Sequence, residues 1–356
     1  MELNELSQLT NLLLQGSDLD RSQVRSSIDL LVNEETGRDQ KIDFLEALAK
    51  KGETARELSE FVSCFRELSL DPELQEFAPR AIDLCGTGGD KAGSFNVSTF
   101  VSFVLASAGV PVIKHGNRSI SSKCGSADLL EAIGVPLAPD LKILQEGLEE
   151  LSFAFLFAPS FHPAFKHIAP VRKELATRGI ITIFNLLGPM INPARPAFQV
   201  LGVYDPKYLE KIGQALQGND LTGATVVHGA IENSEVAGVD EITACGENLL
   251  FGFGEIATQN VERWSPAKWG METYPFEHLS GGDLSENLAI MQSLLDGQAP
   301  KGLRATVAMN ASIAFLTCGK TKSLEEGIEL TDSLISDGKV KAWIGEVSAF
   351  FKKYSQ

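Results

Sequence analysis

The spacing of apolar residues changes after the first fifth of the chain. Within residues 1–72, apolar positions recur at helical spacing, as Phe61 and Phe65 do. Thr54, followed three residues later by Glu57, has the pattern of a capping box at a helix start. We therefore predict short amphipathic helices that form a small all-helical N-terminal domain over residues 1–72.

Further along, short β-rich runs alternate with helical stretches. This alternation predicts an α/β domain over residues 73–356, with a mainly parallel central sheet flanked by helices. Such sheets bind ligands at the carboxyl ends of their strands. The Pro-interrupted, partly helical stretch 162–195 is expected to return to the N-terminal domain. The predicted strands are AIDLC (81–85), VPVIKHG (110–116), FAFLFAP (153–159), ITIFNLLGP (181–189), QVLGVYD (199–205) and ATVVHGA (224–230).

Composition and charge exclude several classes of function. The 356 residues include 31 Lys and Arg and 47 Asp and Glu, which gives a net charge of −16. Because binding to a nucleic-acid backbone needs a basic face, we expect no nucleic-acid partner. The five cysteines are scattered and contain no C-x-x-C pair, which indicates neither a disulfide framework nor a zinc site. No apolar stretch approaches the roughly 20 residues that span a membrane. We expect a reduced, cytoplasmic protein without membrane contact.

A glycine-rich loop follows the first predicted strand. The segment GTGGD (86–90) ends that strand, and NVST (96–99) opens an apolar helix. Glycine lets a backbone turn sharply and approach a ligand closely, and the N–H groups at a helix start attract anions. The loop is neither a G-x-G-x-x-G nor a Walker A sequence. Taken alone, it fits either a phosphate cradle or a tight turn before a packing helix.

The loop after the second predicted strand combines positive charge with many hydrogen-bond donors. Lys114 and Arg118 supply two cations, which suit a doubly phosphorylated or pyrophosphate ligand. His115 fits either this site or a structural role, and Cys124, which has no adjacent base, is expected to pack. The neutral donors are Asn117, Ser119, Ser121, Ser122 and Ser126.

Two further groups are candidates for the same site. Asp240 and Glu241 follow the last predicted strand. Adjacent acids are often merely solvated, but beside a pyrophosphate they would anchor Mg²⁺, which takes one or two carboxylates together with phosphate oxygens. Arg172 lies in a helix-like stretch and would form either a surface salt bridge or a forked contact with a ligand carboxylate.

Together, these motifs resemble the anthranilate phosphoribosyltransferases. The resemblance implies a nucleoside phosphorylase/phosphoribosyltransferase fold. It also implies that the amine of anthranilate displaces pyrophosphate from carbon 1 of phosphoribosyl pyrophosphate (PRPP), a step of tryptophan biosynthesis. The matching segments follow the family order over almost the whole chain: KKGETARELSEF, GTGGD, NVST, KHGNRSISSKCGSADLLEAIGV, HPAFKHIAPVRKEL, IFNLLGPMINPA, VVHG with DEIT, and GGDLSENLAI.

The resemblance also implies roles for individual residues. Ser98, Asp240 and Glu241 would hold Mg²⁺, two ions per subunit. Gly86, Asn117 and Arg172 would contact anthranilate, with His115 lining its entrance. The residues with a catalytic role would be Lys114, Arg172, Asp240 and Glu241. The residues in contact with PRPP would be Gly86, Gly89, Asp90, Ser94, Asn96, Val97, Ser98, Thr99, Lys114, His115, Gly116, Asn117, Arg118, Ser119, Ile120, Ser121, Ser122 and Ser126.

The implied chemistry depends on charge and orientation more than on proton transfer. Departure of pyrophosphate leaves positive charge on the ribose, as in glycoside hydrolysis. An aromatic amine is neutral at pH 7, so we expect no strong general base. The resemblance further implies a homodimer formed through the helical domain, and a glutamine amidotransferase, as in anthranilate synthase, is a candidate partner.

The sequence departs from the usual family pattern at three places. RKELATRGIITIFN is longer than usual after Arg172, which could reshape the anthranilate side. The turn before Asp240 is also longer, and its Glu232 and Glu235 either crowd the metal pair or form a solvated bulge. Lys91 stands where glycine is common, and either adds charge near the phosphates or points to solvent.

Three alternative functions stay open at this point. A PRPP transferase that uses another aromatic acid is the closest, because of the insertion after Arg172. A nucleoside phosphorylase shares the fold, but this chain lacks the glycine-loop sequence of those enzymes and has the Asp-Glu pair. A non-catalytic nucleic-acid-binding relative conflicts with the acidic pI of about 4.8.

Overall fold

The computed structural model describes residues 5–89, 92–118, 123–232 and 238–354. Its first elements are the helices α1 (Glu5–Leu14), α2 (Arg21–Val32), α3 (Arg38–Lys51) and α4 (Ala55–Glu67).

The capping box predicted at the start of α4 is confirmed. The Thr54 hydroxyl accepts a hydrogen bond from the Glu57 N–H at 3.1 Å, and the Glu57 carboxylate accepts one from the Thr54 N–H at 2.9 Å. Each side chain satisfies a backbone donor that the first helical turn leaves without a partner.

The rest of the chain alternates strands and helices, as the sequence pattern predicts. In chain order the elements are β1 (Ile82–Gly86), α5 (Val97–Ser107), β2 (Val112–Gly116), α6 (Ser126–Ala132), α7 (Leu141–Leu151), β3 (Phe153–Phe157), α8 (Ala158–Phe161), α9 (Ala169–Thr177), α10 (Phe184–Leu187), β4 (Phe198–Gly202), α11 (Leu209–Gln217), β5 (Gly223–Gly229), β6 (Asn248–Phe253), β7 (Glu262–Trp264), α12 (Leu284–Leu295), α13 (Lys301–Thr317), α14 (Leu324–Ser336) and α15 (Lys339–Lys352).

Within the described ranges the strands form one sheet in the order β3-β2-β1-β4-β5-β6-β7. Strands β1 to β5 are parallel, and β6 and β7 add an antiparallel edge that the sequence reading did not predict. The predicted α/β class is thus confirmed. The chain proceeds from β1 outward to β2 and β3, then returns on the other side of β1 as β4. A ligand crevice is expected where the order reverses, beyond the carboxyl ends of β1 and β4.

Both faces of the sheet are covered, and alternate residues of a strand enter different cores. On β4, Val200 packs into the core beneath α5 and α13, whereas Leu201 packs on the opposite side with α4 and α11. On β3, Phe155 enters the first of these cores and Leu156 enters a third cluster beneath α7. This period of two is that of an extended strand, and burial on both faces explains why the strands are apolar throughout.

One predicted strand was wrong. The stretch 181–189 forms the short helix α10 and the start of the 3-10 turn Gly188–Met190. Its apolar side chains, including Phe184 and Leu187, are buried in the core shared with the N-terminal helices. An apolar run of this length is compatible with either a buried helix or a strand, and Pro189 lacks the N–H that a central strand would use.

The stretch after β3 packs against the N-terminal helices. Ile168, Leu175 and Ile183 lie in the same core as Leu45 and Phe61. These contacts support a helical domain made of residues 1–72 and part of 162–195, a division that we keep as a proposal. No described helix combines the length and the apolar character that crossing a membrane requires.

Candidate active site

A cleft of about 1450 Å³ opens beyond the carboxyl ends of the central strands, between the sheet and the segment that carries α8, α9 and α10. Most of the candidate residues from the sequence line this one cleft. They are Gly86, Gly89, Ser94, Asn96, Ser98, Thr99, Lys114, His115, Gly116, Asn117, Arg118, Ser126, Arg172, Asp240 and Glu241.

The remaining candidates are placed differently. The Val97 side chain is buried in the core beneath α5 and does not line the cleft, so it is not among the residues that the structure brings to this site. The other candidates, Asp90, Ser119, Ile120, Ser121 and Ser122, lie outside the described residues, as do Lys91 and Glu235.

The glycine loop turns sharply and meets the acidic pair. Gly88 and Gly89 have φ angles of 66° and 84°, a left-handed conformation that glycine adopts without strain. The Gly88 N–H donates a 2.7 Å hydrogen bond to the Asp240 carboxylate. Asp240 lies far from this loop in sequence, so the fold alone brings the two together.

The close approach of Asp240 depends on the absence of side chains at two strand ends. A Cβ added to Gly202, the last residue of β4, would lie 1.6 Å from the Asp240 carbonyl oxygen. A Cβ added to Gly86, the last residue of β1, would lie 2.1 Å from the Asp240 carboxylate. The two glycines therefore make room for the segment that carries the acids.

Glu241 lies at the start of helix α5. Its carboxylate accepts a 3.0 Å hydrogen bond from the Ser98 N–H, in the first turn of that helix. A helix start presents unpaired N–H groups and positive partial charge, which favour a negative partner. Asp240 thus accepts from the Gly88 N–H and Glu241 from the Ser98 N–H. Both are backbone donors that would also suit phosphate oxygens.

A further wall of the cleft comes from residues to which the sequence gave no role. Ser280 pairs with Ser94 in an isolated antiparallel bridge, and the Gly281 N–H donates to the Gly93 carbonyl at 2.7 Å. The segment 280–282 lines the cleft. Gly281 and Gly282 open the motif GGDLSENLAI, which was among those that carried the family resemblance. That resemblance was the sequence signal that could have pointed to this wall.

Lys114 extends from β2 into a buried polar network. Its side chain is 2% exposed, and its ammonium group donates to the Leu84 carbonyl. Burial lowers the pKa of Lys114, and the negative charge of Asp83 opposes that effect. Burial in turn raises the pKa of Asp83, which accepts hydrogen bonds from the His115 N–H at 3.1 Å and from the Asn192 side chain at 3.0 Å.

Two histidines meet at the wall of the cleft. The Nε2 atoms of His115 and His162 lie 3.2 Å apart, so one ring donates a hydrogen bond to the other. Burial lowers the pKa of His115 to about 3 and that of His162 to about 4. Both rings are therefore neutral at pH 7. The sequence reading did not select His162, although it lies in the motif HPAFKH.

Arg172 reaches the cleft from helix α9. Its guanidinium lies over the rings of Phe165 and Phe184, at 5.8 and 5.6 Å from their centroids, and donates to the Phe184 carbonyl at 3.4 Å. Burial lowers its pKa. Within the described part of the chain, no ion pair involves Arg172. The surface salt bridge considered from the sequence is therefore not observed there.

Arg118, the other cation of the loop after β2, already forms ion pairs within the protein. Arg118 forms ion pairs with Asp128 at 2.7 Å and Glu131 at 2.8 Å, on the exposed rim of the cleft. Cys124 is buried in the apolar core, where burial raises its pKa, and it also borders the cleft. Its packing role stays a prediction.

The extra residues after Arg172 lie away from the cleft. They extend α9 to Thr177, and Arg178 at its end contacts Glu174 and, at 3.7 Å, Glu46 of α3. None of the residues 176–180 lines the cleft. The insertion is thus accommodated at the surface of the helical region.

Comparison with known proteins identifies the family. Residues 78–341 match the model of the glycosyl transferase family, a/b domain. Anthranilate phosphoribosyltransferase from Petrotoga mobilis is 37% identical over 95% of this chain and 94% of its own length. The bifunctional protein TrpGD from Thermotoga maritima is 39% identical over 96% of this chain, which spans 56% of that longer protein.

Solved structures agree with this result. The anthranilate phosphoribosyltransferase (TrpD) structure from Thermus thermophilus is 37% identical, with a TM-score of 0.86 over 97% of this chain and 99% of that one. The Saccharomyces cerevisiae enzyme in complex with PRPP and Mg shares the fold at 22% identity, with a TM-score of 0.82 over 98% of both chains. With a cleft in which the acidic pair, the glycine loop and a buried arginine converge, this chain belongs to the anthranilate phosphoribosyltransferase family.

Proposed function

We propose that this protein transfers the phosphoribosyl group of PRPP to the amine of anthranilate and releases pyrophosphate, a step of tryptophan biosynthesis. The observation that carries the proposal is the convergence of two chemically different ends in one cleft. One end has backbone donors beside Asp240 and Glu241, and the other has the guanidinium of Arg172 beside the rings of Phe165 and Phe184. A phosphorylated sugar suits the first end, and an aromatic carboxylate suits the second.

The phosphate end would bind PRPP through the backbone and through short polar side chains. The donors are the N–H groups of the glycine loop and of the first turn of α5, with the side chains of Ser98 and Asn96 beside them. Dipoles fixed by a helix start need no reorganisation when the anion arrives. The candidate phosphate contacts of the second loop belong to the same proposal.

The residues present fit Mg²⁺. Asp240, Glu241 and the Ser98 hydroxyl form an all-oxygen donor set, and two carboxylates are a usual number where the metal shares a phosphate ligand. When bound there, Mg²⁺ would neutralise charge on the departing pyrophosphate. We propose two ions per subunit, because two carboxylates lie on adjacent residues and face different backbone donors, Gly88 and Ser98.

The acceptor end would bind anthranilate through Arg172. A guanidinium forks onto a carboxylate with two parallel hydrogen bonds, and the rings of Phe165 and Phe184 lie beside it. Asn117 and His115 line the same cleft and would contact the ring or its amine. Because His115 is neutral, it would not repel the positive charge that develops on the ribose.

Orientation and electrostatics would then perform the reaction. The bond between carbon 1 and the pyrophosphate oxygen breaks, positive charge develops on the ribose, and the amine lone pair forms the new C–N bond. The proton of the resulting ammonium is lost to water, so no strong base is assigned. Lys114 would stabilise the departing negative charge from its buried position behind the cleft.

Two associations belong to this proposal as well. We propose a homodimer formed through the helical domain, where α1 exposes 61% of Leu14. We also propose contact with a glutamine amidotransferase, supported by the bifunctional TrpGD relative.

The deciding experiment follows the loss of anthranilate fluorescence on mixing protein, anthranilate, PRPP and Mg²⁺, with EDTA as the control. A loss that needs both PRPP and Mg²⁺ supports the proposal. PRPP binding in calorimetry without fluorescence loss would redirect the search to other aromatic acids, and absence of both would refute it. The insertion after Arg172 lies at the surface, and this position supports anthranilate as the acceptor.

A further inference from the structure

The segment that carries Asp240 and Glu241 lies outside regular secondary structure. In its described part, residues 238–247, it is joined to the sheet by the isolated bridge between Gly229 and Val239 and by two hydrogen bonds between Thr243 and the Asn248 side chain at the start of β6. Metal ligands need a fixed position, and loss of a residue that orients them typically weakens metal binding about 10- to 100-fold. Something beyond the sheet ladder must therefore hold this segment.

Asn310 of helix α13 holds the peptide groups that flank Ile242, the residue after Glu241. Its Oδ1 accepts from the Ile242 N–H at 3.0 Å, and its Nδ2 donates to the Ile242 carbonyl at 2.7 Å. Nδ2 also donates to the Thr306 carbonyl, one turn earlier, at 2.8 Å. Asn310 is 3% exposed, so these bonds form away from water, where losing them would be costly.

The chemistry of a short carboxamide is required at this position. The side chain must accept one hydrogen bond and donate two within a fixed space. Aspartate would lose both donors and would place a third negative charge beside Asp240 and Glu241. Leucine has a similar volume but would leave the N–H and the carbonyl of Ile242 buried without these partners.

A second contact from α13 fixes the other end of the segment. The Thr306 hydroxyl accepts a 3.0 Å hydrogen bond from the Ala244 N–H. Helix α13 packs against α5, whose Ser98 N–H binds Glu241. A small cavity of about 10 Å³ is bordered by Ser98, Glu241 and Asn310 together. Glu241 therefore lies beside both α5 and α13, and Asn310 and Thr306 of α13 hold the peptide groups that follow it.

We propose that Asn310 is the positioning residue of the acidic pair: it fixes Asp240 and Glu241 for metal binding without itself touching substrate. Thr306 has the same role more weakly. This inference rests on the proposed function, because it presumes that the pair holds a divalent cation beside pyrophosphate.

The test measures Mn²⁺ uptake by electron paramagnetic resonance in the presence of pyrophosphate, which needs no turnover. We expect Asn310→Leu to weaken Mn²⁺ binding about 10- to 100-fold, the usual effect of losing a residue that orients metal ligands. Thr306→Val, which loses one bond, should weaken it less. Thr306→Ser keeps the hydroxyl and should restore wild-type affinity.

Thr317→Val is the matched control for general damage to α13. Thr317 is the last residue of this helix and shares a buried 2.8 Å hydrogen bond with Thr225 of β5, not with the segment of the acidic pair. It should lower Tm without changing Mn²⁺ affinity. If Thr317→Val weakens Mn²⁺ binding as much as Asn310→Leu does, the role is structural and the inference fails.

Two further outcomes separate this inference from the proposed function. Wild-type Mn²⁺ affinity in folded Asn310→Leu protein would overturn the positioning role alone. No Mn²⁺ uptake by the wild-type protein would overturn the metal site and the inference with it. If Asn310→Leu does not fold, the pair Thr306→Val and Thr306→Ser decides, and equal affinities in those two variants would refute the proposal.

Discussion

The carboxylate of Asp240 accepts a 2.7 Å hydrogen bond from the backbone N–H of Gly88, two residues beyond the end of β1. The acid thus accepts from a donor that the phosphate end of the cleft would offer to PRPP, so the carboxylate and a phosphate oxygen would compete for one N–H. Removing the carboxylate should therefore favour anion binding when no metal is present.

The first prediction separates this competition from simple charge repulsion. In EDTA, pyrophosphate should bind Asp240→Asn more tightly than wild type, because a negative charge is gone. It should bind Asp240→Ala about two- to tenfold more tightly still, since asparagine can keep the hydrogen bond to Gly88 and alanine cannot. Isothermal calorimetry measures both values.

A control for general charge effects is Asp283→Asn, which removes a charge but keeps a good cap for α12. It should leave the affinity for pyrophosphate near that of the wild type. Equal affinities of the alanine and asparagine variants at position 240 would show that the hydrogen bond does not compete.

The second prediction concerns the space that Gly202 leaves for Asp240. Gly202→Ala would place a methyl group against the Asp240 backbone, which must then shift. Displacing a catalytic group by about 1 Å costs on the order of 100-fold in rate, so kcat should fall by about that much. Steady-state kinetics measures kcat.

The control is Gly345→Ala in α15, where the added Cβ would have no atom within 4 Å, and this variant should keep full activity. A wild-type rate for Gly202→Ala would contradict the close approach.

The third prediction assigns Arg172 to the acceptor. Arg172→Ala should raise the KM for anthranilate about 10- to 100-fold, as expected for loss of a hydrogen bond to a charged group, with a much smaller effect on the KM for PRPP. Arg172→Lys should restore activity only in part, because an ammonium group cannot fork or stack as guanidinium does.

Arg178→Ala, at the surface beside Glu174, is the control and should change neither constant. Equal increases in both constants for Arg172→Ala would point to a structural role.

The fourth prediction follows from the pair His115 and His162. Folding lowers both pKa values from an ordinary value near 6.5 to about 3 and about 4. At a pH between the folded and the unfolded pKa values, the unfolded chain binds more protons than the native one. Stability should therefore fall as pH drops below about 6.5, by up to about 1.4 kcal/mol per pH unit for each histidine.

His162→Gln should reduce this acid sensitivity, because it removes one of the two groups. The measurement is the difference in Tm between pH 7.5 and pH 5, which should be smaller in the variant than in wild type. His167→Gln removes a histidine at the surface beside Glu34 and should leave the difference unchanged. An unchanged difference in His162→Gln would show that the pair does not govern the acid response.

The failures of the sequence reading have a common cause. The stretch 181–189 reads as a strand from its apolar residues, but Phe184 and Leu187 are buried against the N-terminal helices rather than between strands. Likewise, His162 received no role from the sequence, whereas its Nε2 atom lies 3.2 Å from that of His115. In both cases the partner that decides the outcome is distant in sequence.

The sequence by itself determined the α/β class, the capped start of α4 and the motifs that place this chain in its family, because local periodicity, capping chemistry and motif order are written in neighbouring residues. Tertiary structure alone decided that Gly88 meets Asp240 and that Asn310 holds the peptide groups beside Glu241. The hydrogen-bonded residues are separated by 152 positions in the first case and by 68 in the second. Such contacts arise only when the strand order brings distant loops to one edge of the sheet, and no local pattern encodes that order.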